Sequence, residues 1–167
     1  MLTTSCSGAS NGGTSSSNID FNADVALIAQ GVEKYEKISA EATNVENEAQ
    51  YSGLVTETGK ILDEIALAVD LFTKHINDSS ELLPSSDTSE SPSFTKLLAW
   101  ANGYNKWVYY QKLNLSMGQE CITSNLGFKG CLVVNFPETL ENERLGQIDL
   151  KNAIAGIQEW RSSLGYN

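Results

Sequence analysis

Between Phe21 and Val45 the apolar residues Phe21, Val25, Ile28, Val32, Tyr35, Ile38, Ala42 and Val45 recur at steps of three and four. That spacing draws one stripe along an α-helix, wide enough to require burial against a neighbour. A second stripe follows, with Leu54, Thr58, Ile61, Ile65, Ala68, Phe72 and then His75 or Ile76 at the same steps. A turn within 46–53, with Gly53 as pivot, folds the two into an antiparallel hairpin. The competing reading is one unbroken helix over 20–77, because VENEAQY holds no breaker. The hairpin is the preferred one. Asn18 or Asp20 is placed to cap its first helix.

The remaining chain extends this pattern. Residues 77–93, NDSSELLPSSDTSESPS, read as an acidic Ser/Pro-rich loop. Ser93 begins a third helix that runs to about Leu115, with Leu97, Trp100, Ala101, Tyr104, Trp107 and Val108 sharing a face. Residues 116–136 read as turn and short extended pieces. A last helix is expected from near Asp149, turning Leu150, Ile154, Ile157 and Trp160 inward and ending at Gly165. The fold class expected is mainly α: an antiparallel bundle of about four helices with a short irregular or extended insert clipped by a disulfide. Residues 1–18 form a disordered tether, and 19–167 a single domain.

Charge narrows the partners. The chain has 21 acidic and 11 basic side chains, a net charge of −10. Such a field repels phosphate backbones, so nucleic acid is not an expected partner. No segment reaches the ~20 apolar residues of a membrane-spanning helix. The longest apolar run, LDEIALAVDLF, is interrupted by Asp63, Glu64 and Asp70.

The three cysteines divide into a pair and a single. Cys121 and Cys131 enclose ITSNLGFKG, whose Asn125, Gly127 and Gly130 favour turning, and a disulfide between them is the preferred reading. The alternative is two reduced cysteines packed as small hydrophobes. Cys6 stands apart. The residues Leu2-Thr3-Thr4-Ser5-Cys6 resemble the end of a bacterial lipoprotein signal, with small residues before the cysteine and an aliphatic one further back. The aliphatic residue lies one place further back than in that family, and MLTTS contains no basic or apolar signal region. The resemblance implies cleavage before Cys6, a lipid on its thiol, and a membrane association made only through that anchor. SGASNGGTSSSN at 7–18 has the composition of the tether that would follow. The alternative is an ordinary flexible N-terminus.

Motifs for chemistry are few. The single histidine, His75, sits near the end of the second stripe, where a capping or half-buried role is expected. There is no C-x-x-C, no H-E-x-x-H, no phosphate-binding glycine loop and no G-x-S-x-G. Asp63, Glu64, Asp70, Glu138, Glu141 and Glu143 read as solvated helix faces. No catalytic residue, metal ligand or cofactor is assigned. In WANGYNKWVYYQKLN, Trp100, Tyr104 and Trp107 share a face and are expected in the core, leaving Tyr109, Tyr110 and Asn105 as candidate binding residues.

Together these features point to a non-enzymatic, exported helical-bundle protein of a bacterial envelope or surface that acts on a protein partner. The alternative is a structural subunit of a viral particle or filament, for which self-assembly is expected.

Overall fold

A computed structural model describes residues 21–42, 45, 47–81 and 92–163. It comprises α1 (Phe21–Ala42), α2 (Glu48–Glu81), α3 (Pro92–Ile122) and α4 (Phe128–Ser163), with no strand among the described residues. Cross-helix pairs run in opposite directions along consecutive helices. Phe21 meets Phe72 while Lys34 meets Glu64. Gln111 meets Glu143, and Gly103 lies against Ala153. The topology is therefore up-down-up-down. No described helix is long and apolar enough to cross a membrane.

The first hairpin forms as its stripes dictate, but not about Gly53. α1 ends at Ala42 and α2 begins at Glu48, so the chain reverses between them and Gly53 is inside α2. Asn47 opens α2 by accepting the Gln50 backbone N–H on its Oδ1 at 3.0 Å. This side-chain cap satisfies one of the four amides that a helix start leaves unpaired. Ile28, Val32 and Tyr35 of α1 then pack with Leu62, Ile65, Val69 and Phe72 of α2. Gly31 leaves room for the Ile65 side chain against the α1 backbone, since a Cβ there would stand 2.5 Å from Ile65 Cγ1.

The expected loop at 77–93 is shorter than its composition suggests, because α2 continues to Glu81 and α3 begins at Pro92. Proline suits a helix start, where its missing N–H has no intrahelical partner to lose. Residues 82–91 lie outside the described residues.

The insert is where structure and expectation part. Over 116–136 the chain is helical on both sides of a turn at 123–127, with no extended pieces. In that turn the Gly127 N–H donates to the Ser124 carbonyl at 3.0 Å, and Gly127 takes φ +72°. Glycine adopts that conformation without the Cβ clash that other residues meet. The last helix starts at Phe128 rather than near Asp149. Its contribution to the main core nevertheless begins at Leu150, followed by Ala153 and Ile157. Above that point the helix packs by other means, which is why its apolar spacing does not reveal it.

Two helical glycines should respond oppositely to the same change. Gly31→Ala forces a clash in the core and is expected to cost about 1–3 kcal/mol. Gly53→Ala meets nothing within 4 Å and should stabilise by about 0.5–1 kcal/mol through helix propensity. Urea midpoints of the two variants check both signs.

Candidate interaction surface on the third and fourth helices

Trp107 is fully buried where three helices meet. Its ring stands edge-on to Tyr35 of α1 at a centroid distance of 5.0 Å. On the α4 side Gly146 leaves room for it, since a Cβ there would lie 3.2 Å from Trp107 Cδ1. The Tyr35 hydroxyl donates to Gln111 Oε1, and Gln111 Nε2 donates to Glu143 Oε2 at 2.8 Å. Gln147 Nε2 donates to the other Glu143 oxygen at 2.9 Å. Burial pushes the Tyr35 phenol well above its ordinary pKa, the Glu143 carboxylate adds to the shift, and a hydrogen bond with Ser39 opposes it.

From this junction to the end of the α3–α4 hairpin, amides replace apolar packing. Asn142 Nδ2 donates to Asn114 Oδ1 at 3.0 Å, and Asn114 Nδ2 donates to the Thr139 carbonyl at 3.2 Å. Asn135 Nδ2 lies 3.5 Å from Cys121 Sγ and 3.6 Å from Cys131 Sγ. Cys121 and Cys131 are bonded, with Cα atoms 5.3 Å apart, and so join the last turn of α3 to the first turn of α4. Phe128 and Tyr51 pack over the bridge, their ring centroids 4.8 Å apart. The Tyr51 ring reaches α3 at Gly118, where a Cβ would overlap its hydroxyl.

With polar side chains between the helices beyond that cluster, several apolar residues of this part of α4 point outward. Val133, Val134, Phe136 and Leu140 are all more than half exposed. Pro137 interrupts the ladder among them, because it has no N–H to give the Val133 carbonyl.

The residues singled out from the sequence are dispersed. Tyr104 and Trp107 are in the core, and Trp100 is half-buried against Gly156. Asn105 and Tyr109 are exposed on α3. Tyr110 is half-buried, its Cβ near Gly146, and its ring meets that of Tyr109 at 5.6 Å. Cys6 lies outside the described residues. His75 is half-buried, and its Nδ1 lies 2.7 Å from Oδ2 of the buried Asp24. Asp63 pairs with Lys112, Glu64 with Lys34, and Glu141 with Arg144. No three His, Cys, Asp or Glu residues gather as a metal site among the described residues. The surface that sequence reasoning missed is the one formed by Val133, Phe136 and Leu140. Its signal was available as apolar residues at steps of three and four directly around a proline.

Two measurements probe this construction. Replacing both Cys121 and Cys131 with Ser is expected to lower stability by about 2–3 kcal/mol, read from denaturant midpoints. Burial pushes Tyr104 up to about 12. The unfolded chain releases that proton near pH 10, so the stabilisation is complete below about pH 10 and is lost as pH rises toward about 12. A Tyr104→Phe variant should show a shallower loss across that window in unfolding curves taken at stepped pH.

No protein-family profile matches the chain, and no curated protein or solved structure matches it significantly.

Proposed function

We propose that this chain is a non-enzymatic, exported protein of a bacterial envelope or surface, tethered through a lipid on Cys6 and acting by contact with protein. The Cys121–Cys131 bond carries the reading, because such bonds form and persist in oxidising compartments and are rare in the reducing cytosol. The bond is enclosed by Phe128 and Tyr51, as befits a structural bridge rather than an exchanging one. The outward apolar residues of α4 support action by contact, since contiguous exposed apolar surface marks interaction sites. Four of the six carboxylates singled out from the sequence are engaged: Glu143 with two glutamines, and Asp63, Glu64 and Glu141 with basic side chains.

The test is the intact mass and cell fraction of protein made from its full native reading frame, before and after reduction and thiol alkylation. The expected result is a diacyl or triacyl chain beginning at Cys6 in the membrane fraction, with alkylation at Cys121 and Cys131 appearing only after reduction. An unlipidated cytosolic chain whose three cysteines react without reductant would overturn the proposal.

A further inference from the structure

The α3–α4 hairpin beyond Trp107 is built inside out. Its interhelical layer contains Gln111, Asn114, Asn135 and Asn142, whereas Val133, Phe136 and Leu140 face away from that layer. An amide ladder contributes less net stability than an apolar layer of the same size. Leaving a leucine and a phenylalanine in water forgoes about 1.5–3 kcal/mol each. This arrangement is favourable when the outer face is itself covered.

We propose that a second copy of this chain covers it. Two α4 helices pair antiparallel through Val133, Phe136 and Leu140, about a twofold axis between Val133 and Phe136. The proposal names the protein partner in the contact-based reading above, and it rests on that reading but not on export or lipidation.

Local charge favours a like partner. The chain carries a net charge of −10, yet there is no acidic residue between Glu120 and Glu138. The only ionised side chain in that interval is Lys129. A cationic partner would be drawn to almost any other part of the molecule. A second copy escapes the repulsion that its own acidity would impose elsewhere, because like charges placed opposite one another are the costly arrangement.

Geometry agrees with this. Position 133 lies three residues before 136, and Lys129 four before 133 mirrors Leu140 four after 136. An axis between 133 and 136 therefore sets each Val133 against the Phe136 of the second copy, as an isologous contact requires. It also lays the Lys129 stem over the Leu140 turn of the second copy. Val133, Phe136 and Leu140 are 74%, 61% and 57% exposed. Spaced three and four residues apart on one helix, they form an apolar stripe of the kind that marks contact sites. The disulfide and the amide ladder hold the face rigid before contact, which lowers the entropic cost of pairing.

Sedimentation equilibrium of the full chain, from about 1 μM to 1 mM, tests the proposal. A reversible rise from 18.1 kDa to twice that mass is expected. Phe136→Asp should weaken pairing about tenfold or more by placing a charge in the apolar centre. At concentrations where both chains are monomeric it should leave far-UV circular dichroism and the thermal midpoint unchanged, because the side chain is exposed. Lys129→Glu should weaken pairing too, by placing an acid from each copy on a face that is otherwise free of acidic side chains. Leu67→Asp, at an exposed leucine on α2, should have no effect. A chain that stays at 18.1 kDa throughout overturns the proposal, as does a dimer indifferent to Phe136→Asp. Dissociation by Leu67→Asp alone would place the contact on the α1–α2 side and overturn it equally. A lipidated, exported chain that remains monomeric sinks this inference and leaves the export reading intact. A Phe136-dependent dimer of unlipidated cytosolic chain does the reverse.

Discussion

Trp107 determines how the helices sit relative to one another. A fully buried indole needs space on every side, and here each side comes from a different element. Tyr35 supplies an aromatic edge from α1, and Gly146 supplies the gap on α4. Gln111, one turn along α3, ties both neighbours together through the Tyr35 hydroxyl and the Glu143 carboxylate. Shifting α4 by one residue would bring a side chain into the ring and separate Glu143 from its amide. The packing thus admits one register, and a hydrogen-bond chain checks it.

On one side of that junction the molecule is an ordinary bundle. Branched aliphatic residues and rings from all four helices fill one core, and glycines permit close approaches such as Gly31 on Ile65 and Gly156 on Trp100. On the other side two helices continue with little apolar material between them. Amide ladders and a covalent bond hold them instead, with a small cluster of Phe128 and Tyr51 at the end. The two regions fail differently: the first by cavity formation, the second by leaving a buried amide unpaired.

That division explains what could be read from the residues. The α1 and α2 stripes, the antiparallel hairpin, the core positions of Tyr104 and Trp107 and the Cys121–Cys131 pairing all follow from spacing, because there burial and apolar character coincide. The first turn was misplaced because a glycine outranks an asparagine as a breaker on sequence grounds, whereas Asn47 does the work through its side chain. The first half of α4 was illegible for a stronger reason. From Asn135 to Glu143 its inward residues are polar, Val133, Phe136 and Leu140 are exposed, and Pro137 stands among them, so the rules for recognising a buried helix point away from the outcome. The same inversion hid Val133, Phe136 and Leu140, whereas the aromatic cluster drew attention to Tyr109 and Tyr110.

The Asp24–His75 pair has a consequence for motion. Helix ends ordinarily fray, since their first amides lack intrahelical acceptors and little packing holds them. Asp24 lies in the first turn of α1, and its carboxylate is buried against a histidine near the far end of α2. Phe21 adds an edge-on contact with Phe72 at the same place. The hairpin is thereby fastened at its open end as well as at its connecting turn. Unzipping from that end must break the Asp24–His75 contact and uncover Phe72, so the first turn of α1 opens together with the hairpin rather than fraying ahead of it.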